Sequence, residues 1–337
     1  YLCDEKLHKN CEAFDNTLFQ YTNDMLERTE GLESESSGAF AGEASIVYIY
    51  EVLYSITKKM KYLEYAKNHA KILKKSVSHD LNNDIIYGNA GAIIVLLNLY
   101  HLTQDISYLE WANIAGKRLV KNQKEGGWYN RDEEMLTGFS HGISGIVFAL
   151  AILNSENDKQ EYRSAIDSGI FCEDTMYVEN YNNWLDNRKE AQKQESKFMA
   201  AWCHGAPGIL LARSKIYNLM PEESAAKPLV LQYINKALVA TEKYGFSDND
   251  CLCHGNLGNS EILLEYTREL KKGNMEQKYR EVRTIIAQGI LNDTYDCARH
   301  YLYGYKIPGF MTGVSGMAYS LLRDICPDLP CILSLEI

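Results

Sequence analysis

Three residues carry the strongest chemistry in this sequence: Cys203, Cys253 and His254. The tripeptide Cys-His-Gly occurs at 203–205 and again at 253–255. With 9 Cys, 8 His and 23 Gly in 337 residues, composition alone predicts roughly 0.015 copies. Two thiolates and an imidazole suit Zn2+, which favours tetrahedral nitrogen and sulfur ligands. Three protein ligands leave a fourth position open, as in catalytic zinc sites; His204 or Cys251 as a fourth ligand would close the site and make it structural. Two anionic sulfurs weaken the cation as a Lewis acid and favour a bound thiol held as a nucleophilic thiolate. The residues therefore lean toward thiol alkylation or addition. Two buried thiols with capping histidines and no metal are the competing reading.

These residues sit at matching points of a repeat that runs along the chain. Six segments place a small-residue turn before an apolar run: Gly42-Glu-Ala-Ser45, Gly88-Asn-Ala-Gly91, Gly142-Ile-Ser-Gly145, Gly205-Ala-Pro-Gly208, Gly255-Asn-Leu-Gly258 and Gly313-Val-Ser-Gly316. Glycine here predicts tight turns with positive φ or close backbone approach. The runs that follow are helical in length and several are apolar nearly all round, which predicts burial. Between them lie amphipathic segments: Leu63, Ala66, Ala70 and Leu73; Leu109, Ala112, Gly116 and Leu119; Val282, Ile286 and Ile290. These predict outer helices with one wet face.

The expected fold is all-α, a double ring of six inner and six outer helices with the six glycine turns crowded at one end. An open solenoid is the alternative, but the inner runs are too apolar to border a solvent groove. Three of the eight histidines, His141, His204 and His254, directly precede a repeat glycine. Gly126-Gly127 predicts a small hairpin or turn, and 154–197 predicts a loop-rich insertion with short helices.

The net charge of −10 and the absence of a basic face argue against nucleic-acid binding. No run of about 18 apolar residues predicts membrane insertion, and the charged first ten residues are not a signal peptide. Nine cysteines in a large chain suggest free thiols or metal ligands and a cytoplasmic setting.

WCHGAPGI (202–209), CHGNLGN (253–259), FSHGISGI (139–146) and PGFMTGVSGMAYSLLR (308–323) resemble the cyclase of lanthipeptide synthetases, from the Gly42 turn to Arg323. His204 after Cys203 is similar to the C-terminal cyclase domain of the class II, bifunctional enzymes, where stand-alone cyclases more often carry Tyr. The expectation is one cyclase domain over 1–337, cut from a longer chain. An N-terminal dehydratase domain, with its ATP and Mg2+, is expected outside this segment.

The resemblance implies an α/α toroid holding one zinc on Cys203, Cys253 and His254. It implies a reaction in which a cysteine of a ribosomal precursor peptide adds to dehydroalanine or dehydrobutyrine, giving lanthionine or methyllanthionine. His141 matches the family's acid/base histidine and Asp84, in DIIYGNAG, the aspartate of its second-repeat motif. Asp84 would orient His141 or stabilise its charged form. Capping roles are the bland alternative for both residues. His204 is open between supporting the metal site, contacting substrate and donating a proton.

Three departures stand out. Ser45 replaces the second glycine of the first turn. Met199 stands four residues before the first cysteine, where stand-alone members often carry arginine. YNNWLDNR (181–188) resembles an NW-x-D segment of the family, with Leu185 where proline is common, and receives no function at this level.

The alternatives are a LanC-like protein that adds glutathione to dehydroamino acids, another zinc thiol-alkylating α/α barrel such as a prenyltransferase subunit, or a non-enzymatic helical repeat with structural zinc. A glycosidase would need paired acids beside the turns, and none is evident.

Overall fold

The computed structural model describes Gln20 and residues 36–193, 197–222, 226–247, 249–292, 294–297 and 307–337. Residues from 36 onward belong to one compact unit. Its described residues form eleven α-helices in alternating inner and outer positions. The inner helices are α1 (Glu43–Thr57), α3 (Asn89–Thr103), α5 (Ile143–Asn157), α7 (Ala206–Leu219), α9 (Asn256–Glu269) and α11 (Val314–Ile325). The outer helices are α2 (Met60–His79), α4 (Ile106–Asn122), α6 (Gln160–Asp174), α8 (Lys227–Tyr244) and α10 (Gly273–Leu291). The sixth outer helix expected from the repeat would precede the Gly42 turn and lies outside the described residues. No helix among them is long and apolar enough to cross a membrane.

Each inner helix starts at a glycine turn. The second glycine of the turn is obligatory for a steric reason: a Cβ at Gly91, Gly145, Gly208, Gly258 or Gly316 would stand 1.8–2.3 Å from the carbonyl oxygen six residues earlier. Only Gly205 among the helix-capping glycines has a positive φ, at 87°. At the opposite end, α1–α2, α3–α4 and α5–α6 are joined by two-residue corners. Their first residues, Lys58, Gln104 and Asp158, adopt the left-handed conformation, and their N–H groups close onto the carbonyls of Tyr54, Tyr100 and Asn154. Corners this short force each outer helix back antiparallel along its inner partner.

Consecutive inner helices pack on one another, and the C-terminal residues link the first inner helix to the last. The Tyr48 hydroxyl on α1 donates to the Glu336 carbonyl at 2.7 Å. Asn98 on α3 donates to the Leu335 carbonyl, the Trp202 indole to that of Leu333, and Tyr319 on α11 to that of Pro330. Phe40 of the first turn meets Trp202 of the fourth, ring centroids 5.4 Å apart. An open solenoid could not bring these elements to one axis.

The outer stripes are buried as expected on α2 (Leu63, Ala66, Ala70, Leu73) and α4 (Leu109, Ala112, Gly116, Leu119). On α10 the buried residues are instead Tyr279 and Arg283, while Val282, Ile286 and Ile290 are half-buried. Arg283 earns that inward position through a fork on Asp324 and bonds to Ser320, so an ion pair outranks the apolar stripe. The stretch 154–197 also departs from expectation. It opens with the end of α5 and a full outer helix, α6, whose buried stripe of Tyr162, Ala165, Ile166 and Ile170 is masked in sequence by surrounding charge. The irregular part is confined to residues after α6, where β1 (Tyr177–Val178) pairs antiparallel with β2 (Asn183–Trp184). The expected Gly126-Gly127 hairpin is present, with bridges Lys124–Gly127 and Tyr129–Met135.

Candidate metal centre

The glycine turns are stitched into a rim by backbone hydrogen bonds. The amide of Ala39 donates to Ile85, Ile85 to Ser140, Phe139 to Trp202, Cys203 to Cys253 and Cys253 to Met311, at 2.8–3.3 Å. Each link joins one turn to the next, so equivalent residues of successive turns lie side by side. Two positions of this register carry the chemistry. One, five residues before the second glycine, holds Cys203 and Cys253. The next holds Tyr87, His141, His204 and His254.

Cys203, Cys253 and His254 bring their ligand atoms within 4.8 Å of one another. Thiolates on a tetrahedral ion, with Zn–S of about 2.3 Å, lie roughly 3.8 Å apart, so the cluster can hold a metal with minor adjustment. Cys203 is buried, whereas Cys253 and His254 are only partly so, which leaves the cluster open on one side. Neither His204 nor Cys251 joins the three. The Cys203 thiol is held well below the usual range by a hydrogen bond from the Cys253 thiol, with His204 and His254 adding to it. The bond to Cys203, then one to Cys251, pushes His254 up to about 10. Cys251 thus lies against His254, a place that its sequence position alone left open.

Beside the cluster runs a stack of aromatic rings. Tyr87 lies on His141 at 5.7 Å and His141 on His204 at 5.6 Å, both nearly parallel. His141 Nδ1 meets Asp84 Oδ2 at 2.8 Å, and Asp84 Oδ1 accepts the amide of Tyr87 at 2.7 Å. The carboxylate is therefore fixed by its own turn and in turn fixes the ring. With Nδ1–H donated to Asp84, Nε2 is the nitrogen left to exchange a proton. The His141 side chain keeps 28% of its surface exposed. His204 is buried, and its Nδ1 has no hydrogen-bond partner. Burial lowers its pKa, opposed by the Cys203 thiolate and aided by Arg188 and His141, which favours the neutral imidazole. The structure thus brings Asp84, His141 and His204 to the same rim as the three cluster residues.

Two neighbours were not legible as site residues. Tyr87 carries its signal in the register, since it occupies the histidine position of the second turn. Arg188 arrives from the segment after β2. Its Nε and Nη2 fork onto Asp186 at 2.9 and 2.6 Å, and Nη2 reaches Met199 Sδ at 3.2 Å. The same segment walls a cleft of about 580 Å3 lined by Tyr181, Leu185, Phe198, Ala200 and Tyr244.

A ring of helices with a thiol–imidazole cluster on its glycine rim defines a class, and the chain belongs to it: the profile of the lanthionine synthetase C-like protein family matches residues 4–337. Among curated proteins it is similar to the lacticin 481/lactococcin biosynthesis protein LcnDR2 of Lactococcus lactis subsp. lactis, 27% identical over 307 residues. That match covers 84% of this chain and 30% of the relative, so the chain spans under a third of that protein's length. Among solved structures it is similar to nisin cyclase, with a TM-score of 0.73 at 19% identity over 97% of this chain and 86% of that one. The cellobiose 2-epimerase from Bacillus thermoamylovorans B4167 shares the helical ring more distantly, at a TM-score of 0.53 and 12% identity over 77% of this chain and 76% of that one. The fold is the α/α toroid of the nisin cyclase.

Proposed function

We propose that the chain is a zinc-dependent cyclase domain, which adds cysteine thiols of a dehydrated precursor peptide to dehydroalanine or dehydrobutyrine. The products are lanthionine and methyllanthionine rings. The observation that carries this reading is a two-thiol, one-imidazole cluster, open on one side, beside an Asp84–His141 pair. Membership of the lanthionine synthetase C-like family supports it. The substrate is supplied by a dehydratase using ATP and Mg2+, on this reading a further domain of the same polypeptide.

Cys203, Cys253 and His254 would hold the zinc, and a zinc ion there supplies a cationic seat at which a substrate thiol loses its proton near neutral pH. The protein's own groups handle the rest. The substrate sulfur forms a bond to the alkene β-carbon, and the π pair moves onto the α-carbon and the adjacent carbonyl oxygen. His141, aligned by Asp84, delivers a proton to the α-carbon through Nε2. His204 stays neutral behind it and keeps the His141 ring in plane by stacking. The thiol's proton passes to solvent and His141 regains one from solvent, so one proton leaves and one arrives, and product and substrate have equal mass.

The test is to incubate the purified chain with a dehydrated, cysteine-containing peptide. Free thiol should disappear without a change in mass, and fragmentation should become restricted within the new ring. A wild type that leaves the thiol count unchanged refutes the proposal. Metal analysis of the same sample should find about one zinc per chain, as expected for a three-ligand catalytic site.

A further inference from the structure

The segment YNNWLDNR has a place in the fold but no part in the mechanism above. Asp186 is buried, at 5% exposure, and is anchored by its own amide, which donates to the Lys197 carbonyl at 2.9 Å. Burial works against its charge, but the Arg188 fork holds the carboxyl below the usual range. The guanidinium is thereby fixed through Nε and Nη2, while Nη1 makes no hydrogen bond among the described residues.

The fixed guanidinium lies next to the cluster. Its Nη2 touches Met199, and the Met199 carbonyl lies so close to Gly205 that a Cβ there would come within 2.0 Å of it. Residues 199–205 are the segment that carries Cys203, and Ala200 bridges to Gly205 across it. A planar fork with two bonds committed and one edge open, beside the segment that carries Cys203, is a preorganised hydrogen-bond donor. A purely structural ion pair needs no such free edge.

We propose that Arg188, positioned by Asp186, donates through Nη1 to the carbonyl oxygen of the dehydro residue under attack. This rests on the cyclase reading. In that reaction the Cα=Cβ π pair moves toward this oxygen as the C–S bond forms, and returns when the α-carbon is protonated. A fixed donor aimed at the oxygen stabilises the charge only while it exists, which is the differential binding that raises kcat. Met199 leaves the thiol seat without a nearer arginine in its own strand, and the guanidinium comes from the β2 side instead.

Arg188→Gln, Arg188→Lys and the wild type are compared for zinc content, thermal midpoint and ring formation. Both variants should keep zinc and midpoint. Their kcat should fall about 10²–10³-fold, the usual cost of one oxyanion donor, with KM changed by less than about threefold. Guanidinium ion should restore part of the rate to Arg188→Ala, and ammonium should not. A variant rate within about threefold of wild type, or a loss that appears only in KM or zinc content, overturns the assignment. Should Arg188→Gln fail to fold, Arg188→Lys, which keeps the charge and stem, decides by the same criteria. A wild type that forms no ring refutes the parent reading instead, so the two failures are distinct.

Discussion

The amide of Cys203 donates to the carbonyl of Cys253 at 3.3 Å, so the two thiols are joined through the main chain before any metal binds. Their separation is set by the rim, not by side-chain rotamers alone. Preset ligands should bind tightly because little ordering remains to be done. Cys253→Ala and Cys203→Ala should each lower zinc from about one per chain to a small fraction, with circular dichroism unchanged. A variant that retains full zinc removes that cysteine from the ligand set.

His141→Ala should keep zinc yet lose about 10²–10⁴-fold in ring formation, the range for a general acid. Zinc loss in this variant would reassign His141 as a ligand.

Asp84→Asn should weaken the hold on Nδ1 and lower the rate by about 10–100-fold, as for other partners that orient a functional histidine. Combined with His141→Ala it should add almost nothing, because both changes act through one ring. Additive losses would mean that Asp84 acts independently.

Glu51 gives a pH test away from the site. It is fully buried. Asn98 faces it and donates to the Leu335 carbonyl, and neither carboxylate oxygen has a bond of normal geometry. Burial raises its pKa well above the ordinary 4.5. Its stabilising contribution is therefore complete below about pH 4.5 and is lost as pH rises toward the folded-state value. Relative to Glu51→Gln, the wild type should lose up to about 1.4 kcal/mol per pH unit across that window. Parallel stability curves for the two proteins would show that Glu51 does not titrate differently on folding.

A rim glycine and the first residue of α10 should respond in opposite directions to the same change. Gly145→Ala puts a Cβ 1.9 Å from the Phe139 carbonyl oxygen and should cost at least about 3 kcal/mol. Gly273→Ala meets nothing within 4 Å and should gain about 0.4–1 kcal/mol by restricting the unfolded chain. Equal midpoints for the two variants would contradict the packed rim.

The rim was legible in sequence because its demands are local. A carbonyl pressed against a helix start excludes a Cβ, and that leaves glycine at this position in five of the six turns, Ser45 being the exception. The cluster positions inherit the same register, which is why Cys203, Cys253 and His254 fall together. What stayed hidden depends on long-range partners. The inward face of α10 rests on an ion pair between Arg283 and Asp324, invisible to apolar periodicity. The outer helix α6 shows more charge than stripe. Arg188 reaches the rim because Asp186 is tied to Lys197 across a short β-bridge region, and no spacing rule announces that fold-back.

The same stitched rim resists movement at its centre, because a gap there would have to break amide–carbonyl links on both sides of Cys203 and Cys253. If the chain is the proposed cyclase, the rim stays still and the peptide travels. On the proposed reading, each new cysteine–alkene pair slides into one unchanging geometry. Doubling the loop between them adds only about 0.6 kcal/mol of closure entropy. One rigid centre can therefore serve tight and wide rings alike, with their order written in the peptide.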